Sequence, residues 1–149
     1  MTVRVQEADF DTGAEIAQLR LQYPMAGAVV AFVGQVRDLN DGKAVSRLTL
    51  EHYPGMTEKS LATIIEQAMQ RWPLLDATVI HRVGELPPQA QIVLVAVASA
   101  HRGDAFAACE FIMDYLKTEA PFWKREATSE GTVWLDARDS DQLSRKRWQ

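Results

Sequence analysis

The chain has a single cysteine, Cys109, among 149 residues. That excludes an intrachain disulfide and any multi-cysteine zinc site, and it agrees with a reducing compartment. Long apolar runs are missing as well, since none approaches the roughly 20 residues of a membrane span. The opening Met1 to Phe10 alternates charged and apolar side chains and lacks the continuous apolar region of a secretory signal, so a cytoplasmic location is expected. Basic charge is not in surplus. The formal net charge of −4 argues against broad nucleic-acid binding and makes each cation matter by its position. There is no repeat, no low-complexity linker and no glycine-rich phosphate loop. His52, His81 and His101 lie on separate segments without the spacing of a His-Glu-x-x-His pair, so no metal site is expected. No nucleophile-elbow glycines surround Ser99, which removes the serine-hydrolase reading.

What remains is ordinary for a soluble globular protein: 47% hydrophobic and 24% charged residues, long enough for one domain spanning 1–149. Val3 and Val5 suit a short strand, and Ala14 to Leu21 a short helix ended by Tyr23-Pro24. Gly27 to Val33 is a nearly continuous apolar run, the pattern of a strand buried on both faces. Val45 to Tyr53 alternates, so these two strands are expected to pair as a long-looped hairpin across the turn-rich Asn40 to Lys43. Leu61, Ile64, Ile65, Ala68, Met69 and Trp72 fall at helical spacing, with Thr57 as a candidate cap and Pro73 as the stop. Ala77 to Val83 and Ile92 to Ser99 read as strands around a Pro87-Pro88 turn. Asp104 is a candidate N-cap for a helix reaching about Lys117. Two short strands, Phe122 to Ala127 and Val133 to Leu135, follow with a hinge at Gly131. Mixed helices and strands joined by short turns predict a two-layer α+β fold with a largely antiparallel sheet.

The most informative segment runs from Phe111 to Glu126. A helical pattern leads into Lys117, Pro121 stops it, and the chain turns extended through Phe122, Trp123 and Lys124. Such a corner can aim two ammonium groups at one point, to bind an anion or to act as acid or base once desolvated. The plainer reading is a solvated helical stripe, with Glu110, Asp114 and Lys117 on one face and an i,i+3 pair between the last two. Arg37 follows Gly34 at a strand end, where a guanidinium can grip a phosphate or simply project into water. Ser99 to Asp104 joins a core strand to a helix start, so His101 and Arg102 could add donors beside its free N–H groups. Together with Arg138, these residues would make a local positive site on an acidic chain. Cys109 shares a helix side with Phe106, Met113 and Leu116, and reads as a small buried hydrophobe. The basic Ser144 to Gln149 tail reads as solvated or frayed.

Leu50 to Met56, Val79 to Glu85, Ser99 to Arg102 and Phe111 to Glu126 together resemble the catalytic large subunit of molybdopterin synthase. The resemblance runs from about Gly27 to Trp148, and the Phe111 to Lys117 and Ala120 to Glu126 blocks are long enough to be specific. It implies an α/β-hammerhead-like fold with a small additional β subdomain, and a sulfurtransferase. A small ubiquitin-like partner ending in a Gly-Gly thiocarboxylate would insert its tail and twice deliver sulfur to a cyclic pyranopterin monophosphate, forming the dithiolene of molybdopterin. The implied assembly is a large-subunit homodimer within a heterotetramer, its pterin pocket drawn from both large subunits, with no cofactor of its own. Position by position, Lys117, Lys124 and Arg37 match the family's catalytic residues, and His101, Arg102 and Arg138 its substrate-holding ones. Gln35 departs from a lysine found in some relatives, which bears on affinity. The Asp38 to Lys43 loop is too generic to assign. Two other readings remain: a non-catalytic anion- or nucleotide-binding module, and a scaffold that only docks a ubiquitin-like tail.

Overall fold

The computed structural model describes residues 1–40, 42–128, 131–135 and 139–149. Along the chain run β1 (Thr2–Gln6), α1 (Thr12–Gln22), β2 (Ala28–Gln35), β3 (Leu39–Asn40), β4 (Lys43–His52), α2 (Met56–Arg71), β5 (Leu74–Arg82), β6 (Gly84–Leu86), β7 (Gln91–Ser99), α3 (Arg102–Glu119), β8 (Phe122–Thr128), β9 (Gly131–Leu135) and α4 (Asp139–Lys146).

Four strands form the main sheet in the order β1-β5-β7-β2. Only the β1/β5 pair is parallel; β5/β7 and β7/β2 are antiparallel. The alternation of side chains along the two central strands sorts the core into two faces. Ala77, Val79, Val93, Val95 and Val97 face α2 and α3 and pack with Leu61, Ile64, Ile65, Phe111 and Ile112. Ile80, Leu94 and Ala96 point the other way, toward Phe10 and Leu19 of the α1 side. Covered on both faces, β7 reads as the unbroken apolar run Ile92 to Ala98. The second sheet, β3-β4-β8-β9 with β6 added to β4, is antiparallel. It has its own small core of Val36, Val45, Leu48, Leu50 and Leu86. The α+β class, the largely antiparallel main sheet and the extra β subdomain all hold.

Several local expectations change. β2 is an edge strand, with Phe32 40% and Val33 36% exposed, so its apolar run is not buried on both faces. Nor does β2 pair with β4 in a hairpin: β2 joins β7, while β4 joins β8 in the other sheet. Thr57 does not cap α2. Gly55 takes the cap position at φ 85°, a conformation that suits glycine. Its amide donates to Glu58 Oε2 at 2.6 Å, and Thr57 instead ties both polar groups of the Tyr53 backbone inside the first turn. His101, not Asp104, precedes α3, with Asp104 in its first turn.

The C-terminal tail is the largest difference. Residues expected to fray form α4 and then dock on α3. Trp148 sits edge-on to Trp72 and Phe111 with ring centroids 5.6 Å away in each case. Its indole N–H donates to Asp114 Oδ2 at 2.6 Å. Arg147 pairs with both Asp114 and Glu110, and the Arg71 guanidinium donates to the Trp148 carbonyl.

Candidate active site

Where α3 stops, three elements converge. Pro121 ends the helix, Phe122 starts β8, and the alternation of that strand points Phe122, Lys124 and Glu126 to one side while Trp123 turns outward. The edge strand β2 passes alongside. At Gly34 an added Cβ would lie 2.9 Å from Val93 Cγ1, so only glycine lets the strand approach β7 this closely. The register then shifts between Gly34 and Gln35. Val36 exchanges backbone hydrogen bonds with residues 89 and 90, its N–H donating to the Ala90 carbonyl and its carbonyl accepting from the Gln89 N–H. That clamp fixes the position of Arg37.

The result is a cavity of about 710 Å³ whose lining includes Arg37, Lys117 and Lys124. All three residues expected to be catalytic are therefore brought together. Phe32, Val33, Ile92, Val93, Met113 and Leu116 supply apolar walls, Gln35 lies on the rim, and Glu126 and Asp141 add carboxylates. Three cations thus line one partly apolar cleft, Arg37 and Lys117 exposed to solvent and Lys124 half-buried, an arrangement able to hold an anion. Lys117 and Glu110 are exposed, as the solvated stripe expects, but the i,i+3 pair is not made, because Asp114 is taken by Arg147 and Trp148.

His101 and Arg102 do not reach this cavity in the same chain. They are exposed at the opposite end of α3, and 15 residues of helix place Arg102 roughly 22 Å from Lys117 along its axis. Arg138 lies outside the described residues.

One cavity residue was not singled out by sequence as a site residue. His81 is 3% exposed and continues the Ala77, Val79 row of β5 to the cavity. Its ring stacks on Phe122 with centroids 3.8 Å apart and planes 18° from parallel. Its Nδ1 lies 2.8 Å from the Arg82 carbonyl oxygen. Burial pushes its pKa down to about 3, the Arg82 carbonyl opposing and the Lys124 and Lys117 charges adding to the effect, so it is neutral at pH 7. The sequence signal available was a histidine closing an otherwise apolar strand row. A second cavity, of about 350 Å³, lies by β1, α1 and β5. Its charges already have partners, Arg4 with Glu15 and Asp76 with Tyr23 and the amino terminus.

The chain is 68% identical over 147 residues to a molybdopterin synthase catalytic subunit of Ralstonia nicotianae, covering 99% of this chain and 84% of that one. It is 56% identical over 149 residues to a protein of the same description from Pseudomonas aeruginosa, covering 100% and 99%. The solved structure of a molybdopterin biosynthesis MoaE protein from Burkholderia ambifaria superposes with a TM-score of 0.85 at 56% identity, over 99% of this chain and 97% of that one. A chain from a complex of subunits 1 and 2 of molybdopterin-converting factor from Helicobacter pylori shares the fold, with a TM-score of 0.74 at 18% identity over 91% of each chain. The family described as MoaE protein matches residues 5–119, and with that span and these identities the chain belongs to the MoaE family, that of the molybdopterin synthase catalytic subunits.

Proposed function

We propose that this chain is the catalytic subunit of a cytoplasmic molybdopterin synthase, transferring sulfur from the C-terminal thiocarboxylate of a small ubiquitin-like subunit to a cyclic pyranopterin monophosphate. The observation that carries the reading is the convergence of Lys117, Lys124 and Arg37 on one cavity. Opening a cyclic phosphate and replacing oxygen by sulfur develops negative charge and requires proton transfer. Ammonium and guanidinium groups preorganised in a cleft can stabilise that charge, and a lysine can hand over or take up the proton. Lys117, at the helix end, is assigned acid-base or transient covalent work. Lys124, on the facing strand, is assigned to orient the thiocarboxylate or the substrate. Arg37 holds the anionic part close to the reacting centre.

His101, Arg102 and Arg138 are proposed to hold the anionic substrate. Because the first two stand at the far end of α3, they would serve the cavity of a second copy, in keeping with a homodimer whose pockets are shared. The Helicobacter chain that shares this fold comes from a complex of two different subunits, in keeping with a second kind of subunit beside this chain. No helix among the described residues is long and apolar enough to cross a membrane.

A single-turnover assay with the cyclic pterin and thiocarboxylated partner tests the reading. Wild type should form dithiolene, and Lys117→Ala should lose on the order of 100-fold or more in rate while still binding the partner. A folded, partner-bound wild type that forms no product would leave an anion-binding module or a docking scaffold.

A further inference from the structure

His81 takes no part in the chemistry assigned to the lysines, yet the fold aims it at their cavity. A valine would extend the Ala77, Val79 row at this position without burying a polar ring. The imidazole present is instead fixed on both sides, by Phe122 against its face and by the Arg82 carbonyl at Nδ1. A carbonyl can only accept, so Nδ1 carries the proton. Burial and two neighbouring ammonium groups keep a second proton off the ring, which leaves Nε2 as a bare lone pair. Nε2 has no hydrogen-bond partner among the described residues. There the sole fully enclosed side-chain nitrogen or oxygen without a partner is Arg145 Nε, so Nε2 is not sealed, and the residue lines the cavity.

Of the other neutral polar groups in the lining, Gln35 lies exposed on the rim and the Thr118 hydroxyl is turned to the Asp114 and Tyr115 carbonyls of its own helix; the charged groups differ in kind. Arg37, Lys117 and Lys124 can only donate, and Glu126 and Asp141 are carboxylates. A neutral acceptor set among Val93, Leu116 and Phe122 suits an uncharged N–H, which gains a hydrogen bond there without bringing a charge into an apolar wall. We propose that His81 is a substrate-positioning residue whose Nε2 accepts a hydrogen bond from a ring N–H of the fused heterocycle, while the anionic end of the same molecule meets the three cations. The identity of that heterocycle rests on the function proposed above. The arrangement gives the site a means of rejecting a phosphate that lacks the N–H, because a site built to pair a polar group discriminates against analogues missing it.

The test uses the assembled complex, its partner carrying a plain C-terminal carboxylate so that substrate binds without turnover. His81→Phe keeps a ring against Phe122 and removes both nitrogens; His81→Gln returns an amide near the position of Nε2. Calorimetric titration with the cyclic pterin should show His81→Phe weakened about tenfold or more, with His81→Gln regaining most of the loss. In wild type labelled with ¹⁵N-histidine, the His81 Nε2 resonance should be that of an unprotonated nitrogen and should shift when pterin is added. That spectrum decides the matter even if the Phe variant does not fold. Wild-type affinity in His81→Phe, or an Nε2 resonance that moves with the partner's tail and not with pterin, overturns the proposal. A wild-type complex with no affinity for the pterin overturns the functional reading beneath it, a distinguishable result.

Discussion

Cys109 donates its S–H to the Val95 carbonyl at 3.7 Å from inside the core. Burial, with the Glu110 charge adding to it, pushes the thiol up to about 12, so almost no thiolate exists at neutral pH. The folded protein should resist iodoacetamide at pH 8, with mass spectrometry showing modification only after denaturation. Cys109→Ala should cost about 1 kcal/mol of stability and leave product formation intact, as expected where sulfur arrives on another chain. Asp76 is a different kind of buried group. Burial pushes its carboxyl up, but the amino terminus, the Ala77 amide and the Tyr23 hydroxyl outweigh this and hold it below the usual carboxylate value. Its contribution is therefore present above that usual value and lost as pH falls through the lowered one. Asp76→Asn should destabilise by about 1–3 kcal/mol at pH 7, and urea titrations at pH 7 and pH 3 should show the difference shrinking in acid. Sequence exposed the residues whose roles depend on local punctuation: Lys117 before a helix-stopping proline, Lys124 just after it, Arg37 at a strand end. It did not expose His81, whose place depends on Phe122, 41 positions along the chain.

At the scale of elements the same division holds. Every strand signalled by alternation or by an apolar run is present, because those patterns are local. Strand pairing is not local. The neighbouring β2 and β4 separate into two sheets, and β2 keeps an exposed side that valine and phenylalanine content alone could not forecast. α4 was hidden for another reason: Asp139 to Lys146 has little apolar periodicity, and the segment is held by contacts made after folding. Arg145 pairs with Glu119, and Trp148 enters the core cluster of α2 and α3. Trp148→Ala should therefore cost about 3 kcal/mol, the range for truncating a packed aromatic ring, as a lower urea midpoint. A frayed tail would show no change.

For the whole molecule, acid sensitivity should begin well above the carboxylate range. His81 is neutral in the folded state down to about pH 3, whereas in the unfolded chain it takes up a proton near its ordinary value of about 6.5. The unfolded state thus binds more protons between those limits, and stability falls as pH drops from about 6.5 toward 3. Urea midpoints measured at pH 7, 5.5 and 4 should decline in wild type and decline less in His81→Phe. A second consequence comes from α3, an 18-residue helix with exposed His101 and Arg102 at one end and Lys117 at the other. Under the shared-pocket proposal, a lesion at each end disables a different contributor to the same pocket. Two inactive proteins, Lys117→Ala and Arg102→Ala, should then rescue one another when unfolded and refolded together. Random assortment makes half the dimers mixed, each with one undamaged pocket of two, so activity should return to about a quarter of wild type. Recovery in the mixture and none in either protein alone would read the architecture of the pocket directly from complementation between subunits.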